Sequence, residues 1–320
     1  MIVKSDSDVI KFLKNHYKNE EQKPVIICCS DSSSSIVDLN RNILIDNYYL
    51  PGKAEQGSLT QMMSKRRMTE LAEEVGLMTP YSLYYSKDGS LDFSLVRYPC
   101  ITKPLLSKDG SKSDIAILND NSILKTYLNE HKNSNVQIQE FIDKDFEYQL
   151  IGCSTKKEVV IPGVSIIQRP CKGSNTSFLH YIPLEKGFCD IEKCYDFVKK
   201  TGYHGLFSLE FLRDKKGNDY FMEINFRNDG NGICVTASGV NLPYIWYLDC
   251  IGRNYSSELT NVVNPIYVMP DMAELKLLLT RQISIKEYIS DFRKTDRFME
   301  YDKNDPKPFW KLLRMKLLRF

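Results

Sequence analysis

Gly205-Leu-Phe-Ser-Leu-Glu-Phe-Leu-Arg-Asp-Lys-Lys-Gly-Asn-Asp-Tyr-Phe-Met-Glu-Ile-Asn225 decides how the rest of the chain is read. Two apolar runs, Leu206–Leu212 and Tyr220–Asn225, flank a polar turn over Asp214–Asn218, the pattern of a β-hairpin. With the turn centred between Lys216 and Gly217, Glu210 falls opposite Glu223. Carboxylates facing each other across strands repel. Strand alternation puts Glu223 and Asn225 on one face with Glu210, and sends Leu209, Phe211, Met222 and Ile224 to the other, into a core. Three converging oxygen-bearing side chains suit a hard cation, Mg²⁺ with Mn²⁺ as the substitute, whose other ligands are water and phosphates. The competing reading is a solvated sheet face with coincidental acids.

Outward from the hairpin, Arg227 lies two residues past Asn225, placed to meet a phosphate on the same face, and Gly230 and Gly232 suggest a loop near a ligand. Lys103 ends the run Tyr-Pro-Cys-Ile-Thr-Lys, where a strand aims an ammonium into a cleft. The polar loop Ser107–Ser113 after it can cover phosphates with backbone N–H groups. In Gln139-Glu-Phe-Ile-Asp-Lys-Asp-Phe-Glu147 the chain leaves a strand and re-enters one. Backbone groups there can read an adenine edge, and Glu147 can accept from ribose. Taken singly, these residues also fit surface charges and solvated loops.

Strands are expected over Tyr98–Lys103, Val136–Ile142, Phe146–Cys153 and Glu158–Ile167, and helices over Ser7–Tyr17, Met62–Leu77 and Asp190–Thr201. Pro24–Cys29 reads as a short buried strand, followed by the polar Ser30–Ser35, a ligand loop or a helix cap. The alternation gives an α/β or α+β class in several lobes. Lys+Arg (43) nearly balances Asp+Glu (41), which removes the electrostatic case for a nucleic-acid partner. Nine cysteines without a CxxC pair indicate reduced thiols in a cytoplasmic protein. No apolar run spans a bilayer, and the N-terminus is too polar for a signal peptide.

Lys65-Arg-Arg-Met-Thr-Glu-Leu-Ala-Glu-Glu-Val-Gly-Leu-Met-Thr-Pro80, Ile101-Thr-Lys-Pro104, Gln139-Glu-Phe-Ile142 and Phe221-Met-Glu-Ile-Asn-Phe-Arg227 occur in an order and spacing that resembles the ATP-grasp superfamily. Within it the likeness is to carboxylate–amine ligases of the D-aspartate ligase kind and to carbamoyl-phosphate-synthase-like members, over roughly residues 24 to 250. The resemblance implies an ATP-grasp fold with a shortened N-terminal α/β lobe and a helical C-terminal extension. Its expected division is 1–64 (partial N-terminal lobe), 65–142 (small lobe), 143–260 (large lobe with the metal site) and 261–320 (extension). It further implies that Lys65 and Lys103 bind the ATP phosphates and that Glu140, Phe141 and Ile142 hold adenine. Glu147 would bind ribose, and Glu210, Glu223 and Asn225 Mg²⁺. Arg227 would stabilise the transferring phosphate, with Lys103 beside it as the second catalytic cation. The implied reaction joins a carboxylate to an amine through an acyl-phosphate, producing ADP. A non-catalytic nucleotide-binding relative and a carbamoyl-phosphate-synthase-type enzyme are the alternatives.

By the same resemblance, Val164–Phe178 lies near the acceptor: Arg169 could grip a substrate carboxylate, Lys172 belongs to the adjoining polar loop, and His180 could approach the amine. Helices are expected over Asp271–Leu279 and Ile285–Phe292. The tail Phe309-Trp-Lys-Leu-Leu-Arg-Met-Lys-Leu-Leu-Arg-Phe320 is basic and amphipathic. It can dock on the protein, the favoured reading, or sit on the inner face of a membrane as a peripheral contact, which fits a cell-envelope or polysaccharide precursor as substrate. Small-molecule carboxylate and amine substrates, and a homodimer, complete the expected partners.

Overall fold

The computed structural model describes all residues except 1–4, 18–20, 87–90, 106–115, 132–134, 170–177, 185–186, 260–262 and 318–320. The loop expected over phosphates at Ser107–Ser113 and the polar loop with Lys172 lie outside the described residues.

The chain opens with helices α1 (Asp6–Asn15), α2 (Asp31–Leu39), α3 (Arg41–Leu44), α4 (Ser58–Met62) and α5 (Lys65–Glu74). Then come β1 (Ser82–Tyr85), β2 (Cys100–Pro104), β3 (Ala116–Leu118), α6 (Asn121–Glu130) and β4 (Val136–Glu140). The middle of the chain is β5 (Lys144–Ser154), β6 (Val159–Val160), β7 (Gly163–Ile167), β8 (Leu179–Pro183), α7 (Ile191–Thr201), β9 (Gly205–Asp214) and β10 (Asp219–Asn225). It closes with α8 (Gly232–Ser238), α9 (Leu242–Cys250), α10 (Ser256–Leu259), β11 (Ile266–Met269), α11 (Asp271–Leu279), α12 (Ile285–Lys294), β12 (Arg297–Phe298) and α13 (Lys307–Leu317).

Two sheets organise these elements. The smaller has the order β1-β4-β2-β3, all antiparallel. Paired residues fall on one face, so Cys100, Leu118, Val136 and Ile138 pack together with Leu124 and Leu128 of α6. The opposite face carries Lys103, Gln137, Gln139 and Ser82. The larger sheet has eight strands, β10-β9-β5-β7-β8-β11-β12 with β6 on β5. One face buries Tyr148, Leu150, Phe207, Leu209, Phe211 and Phe221 under α5 and α7. Tyr148 stacks on Phe211 at 5.2 Å, and Phe221 meets Phe197 of α7 at 4.8 Å. Each such side chain contributes on the order of 1.5–3 kcal/mol by leaving water. Toward β11, the other face is covered by α8 and α9 through Cys234, Val235, Ile245 and Trp246; toward β10 it carries polar side chains.

Helix ends follow their capping residues. Ser30 and Ser33 form a capping box that starts α2, Asp190 caps α7, and Gly202 at φ +67° ends it. Three expectations change. Pro24–Cys29 is no buried strand: it makes one parallel bridge, Val25 to Tyr49, with Ile27 exposed, because among the described residues no second strand adjoins it. The helix expected over Met62–Leu77 is shorter, α5 over Lys65–Glu74, with Met62 closing the preceding α4. The strand expected over Glu158–Ile167 divides at Ile161-Pro162, where proline supplies no ladder N–H.

Candidate active site

The hairpin of β9 and β10 places the acids. Nearest the turn, Asp219 pairs with Arg213 and Phe221 with Phe211, but Glu223 pairs with Glu210 and Asn225 with Ser208. The register therefore slips at Met222, a β-bulge in an edge strand. The bulge lets Phe221 and Glu223, two residues apart, point to opposite faces. Phe221, rather than Met222, fills the core position, which corrects the placement of Met222. The Phe221 N–H leaves the hairpin and donates to Met78 O at 2.8 Å, tying the edge to the segment after α5.

Glu210 Oε1 accepts from Asn225 Nδ2 at 2.9 Å and from Gln149 Nε2 at 3.2 Å. Gln149 Oε1 accepts in turn from Asn231 Nδ2 at 2.7 Å. This chain of amides has one direction. A carboxylate only accepts, so Gln149 must present its NH₂ to Glu210, and Asn231 its NH₂ to Gln149. Lys65, the first residue of α5, brings Nζ within 3.6 Å of Glu223 Oε2. Its backbone N–H is held by Leu105 O at 3.2 Å, which joins the start of α5 to the end of β2.

Lys103 comes from the small sheet. Its Nζ donates to Gln139 Oε1 at 2.9 Å, and Gln139 and Gln137 both donate to Ser82 Oγ. Burial lowers the Lys103 pKa; the nearby Glu223, Glu210 and Glu147 pull it upward, and Lys65 pushes it down. Two ammonium groups from one side thus meet three carboxylates from the other. Two glutamates and the carbonyl of an asparagine form an all-oxygen donor set on one face, which fits Mg²⁺ better than a softer metal. Among the described residues no group of three His, Cys, Asp or Glu side chains gathers for a metal, so the site rests on two glutamates and an asparagine.

Arg227 extends from the end of β10 and is clamped between two carboxylates, Asp31 Oδ1 at 3.1 Å and Asp229 Oδ2 at 3.0 Å. Burial works to lower its pKa, but Asp229 and Asp31 outweigh that and raise it. Ser208 Oγ and Asn231 N–H also donate to Asp229. Ser34 Oγ bonds Phe226 O at 2.8 Å, and Asn228 N–H bonds Cys28 O at 2.8 Å, so the start of α2 docks on the segment after β10.

The expected adenine edge is partly committed. Glu140 accepts from Tyr81 N–H at 2.8 Å and from Arg97 at 3.1 Å, and Arg97 stacks on Tyr81 at 4.1 Å. The Phe141 N–H donates to Pro99 O at 2.9 Å. Glu140 therefore fixes this edge rather than reaching a base, and the Phe141 carbonyl and Ile142 N–H are the remaining groups there. Glu147, half exposed and paired with Lys144, shares the Gln149 and Glu210 face of the large sheet.

Two expected substrate residues are not brought to this cluster. Arg169 pairs with Glu274 at 3.3 Å and with Asp291, and is taken up in packing α11 and α12 against the sheet. His180 pairs across strands with Ile166, itself opposite Tyr148, so it belongs to the face away from Glu210; it stacks on Tyr267 at 4.2 Å. Sequence reasoning missed Gln149, Asp229, Asn231 and Asp31. Gln149 had a signal, a polar residue in step with Glu147 inside an otherwise apolar strand.

No protein-family model and no curated protein matches the sequence. Solved structures do. An L-amino acid ligase from Bacillus licheniformis matches with a TM-score of 0.56 at 18% identity, covering 72% of this chain and 57% of that one. An N5-carboxyaminoimidazole synthetase from Staphylococcus aureus, complexed with ADP, matches with 0.64 at 14%, covering 88% and 74%. The biotin carboxylase domain of a Hydrogenobacter thermophilus 2-oxoglutarate carboxylase, complexed with MgADP and bicarbonate, matches with 0.55 at 18%, covering 72% and 55%. The chain thus spans less than two thirds of the ligase and of the carboxylase domain. These likenesses establish that it has the ATP-grasp fold.

Proposed function

We propose that this chain, with its ATP-grasp fold, is an ATP-dependent ligase that joins a carboxylate to an amine through an acyl-phosphate. The observation that carries the reading is the cross-strand pair Glu210 and Glu223, with Lys65 and Lys103 gathered against it. Two opposed carboxylates repel, and a cation between them with a polyanion facing the lysines would turn that repulsion into binding. The solved ligase with the same fold acts on amino acids by its name, and the synthetase and the carboxylase domain carry ADP or MgADP.

In this reading, Glu210, Glu223 and the carbonyl of Asn225 hold Mg²⁺, which when bound supplies charge neutralisation on the β- and γ-phosphates. Lys65 and Lys103 face the phosphates as point charges. Gln149 and Asn231 keep Glu210 turned toward the cleft. The Phe141 carbonyl and Ile142 N–H read adenine, and Glu147 accepts from ribose. Arg227, held rigid by Asp31 and Asp229, presents its remaining N–H to the transferring phosphoryl group. A substrate carboxylate oxygen bonds to the γ-phosphorus as the bond to ADP breaks. The amine lone pair then adds to the acyl carbon, phosphate leaves, and the amine proton goes to water. The protein supplies position and opposing charge rather than a nucleophile of its own.

The test is ADP release from ATP with amino acids and other small carboxylates, with and without hydroxylamine. Carboxylate-dependent ADP release, with a hydroxamate as product, is the expected result. Nucleotide binding without ADP release for any carboxylate would overturn catalysis and leave a nucleotide-binding protein.

A further inference from the structure

The C-terminal helices carry a surface that the nucleotide cleft does not use. Helix α13 docks through Phe309, edge-on to Tyr301 at 5.5 Å, and through half-buried Leu313. That leaves Trp310, Leu312 and Met315 exposed, beside exposed Lys307, Lys311 and Arg314. Helix α12 likewise exposes Ile285, Ile289 and Phe292 next to Lys286 and Arg293. An unbroken aromatic ladder, Phe292–Phe298–Tyr301–Phe309–Trp310, connects the two helices with centroid spacings of 5.1, 6.4, 5.5 and 5.2 Å. The two helices, joined by this ladder, thus present exposed apolar side chains interspersed with cations, with Glu287 of α12 as an exposed acid among them. Residues 306–320 hold five Lys or Arg and no acid, in a chain whose total charge is only +2.

We propose that this surface seats on an anionic lipid bilayer. Apolar side chains would enter the acyl boundary while the basic side chains meet the headgroups. A second copy is the poorer occupant, because a two-fold contact would bring the same cations together.

The chain reports on this itself, since its two tryptophans differ: Trp246 is 4% exposed and Trp310 58%. The full chain is mixed with phosphatidylglycerol–phosphatidylcholine vesicles and with pure phosphatidylcholine vesicles. Expected are co-sedimentation with the anionic vesicles only, a blue shift of tryptophan emission, and quenching by brominated acyl chains that is lost in Trp310→Phe. Lys311→Glu with Arg314→Glu should weaken partitioning by at least about tenfold with the melting temperature unchanged. Three results would each overturn the proposal. One is no binding to anionic vesicles at low salt. Another is binding that the double reversal leaves intact. The third is a doubled mass in solution with Trp310 already shielded, which would assign the surface to a second copy.

Discussion

Arg169→Leu separates a substrate residue from a structural one. Glu274 is fully buried; its Oε1 accepts the Phe178 N–H at 3.2 Å and its Oε2 faces Arg169 at 3.3 Å. Asp291 also leans on Arg169 and is only 15% exposed. Removing the guanidinium leaves two adjacent carboxylates, one wholly out of water. Breaking a buried pair in this way costs about 3–5 kcal/mol. For a chain of this size that is a fall in melting temperature of roughly 4–7 °C. The pH dependence follows from Glu274, whose pKa burial raises despite the opposing pull of Arg169. An acid with a raised folded pKa contributes stability below its unfolded pKa and loses it as pH rises through the folded value. Without Arg169 that value climbs further, so the variant should recover stability as the pH is lowered from 7.5 toward 5. Denaturant melts at both pH values, beside steady-state kinetics, provide the assay. A loss under about 1 kcal/mol, together with a tenfold rise in KM for a carboxylate substrate, would refute the structural assignment and return Arg169 to the acceptor site.

Other outcomes follow from the same contacts. Gln149→Leu removes the donor that orients Glu210 and leaves the Asn231 NH₂ buried without its acceptor; it should weaken Mg²⁺ dependence about 10–100-fold in a metal titration of nucleotide binding. Lys103 titrates below an ordinary lysine, so nucleotide affinity should fall on the alkaline side before pH 10.5 as its ammonium is lost, and that limb should be absent in Lys103→Met. Gly163→Ala would place a Cβ 2.3 Å from Ile182 O in the middle of the large sheet, and urea melts should show a loss of about 1–3 kcal/mol.

The fold class was legible because its strands are short apolar runs broken by polar turns, and the helix caps stand in the sequence as Ser30, Asp190 and Gly202. Facing of Glu210 and Glu223 could be counted from the turn, though the count hid two offsetting features. The turn-proximal register is one residue off that count, and the bulge at Met222 restores it. Only Phe221, which trades faces with Met222, betrays the difference, and no periodicity rule carries a bulge. His180 was misplaced for a related reason: strand parity after a long polar connection cannot be counted from sequence. Arg169 resembled a free cation because its partners, Glu274 and Asp291, lie more than a hundred residues further along the chain. The strand read at Pro24–Cys29 had the right composition but lacked neighbours, and composition does not report neighbours.

The central claim, a nucleotide cleft completed by a cation between Glu210, Glu223 and the lysines, is tested most directly by thermal unfolding with ATP and Mg²⁺ on the wild type and on Glu223→Ala. A ligand that binds only the native state stabilises it by about 2.7 kcal/mol at a hundredfold excess over Kd. The account predicts a rise in melting temperature that requires Mg²⁺ in the wild type and disappears in the variant. An unchanged melting temperature at millimolar ATP, or an equal rise in Glu223→Ala, would contradict it.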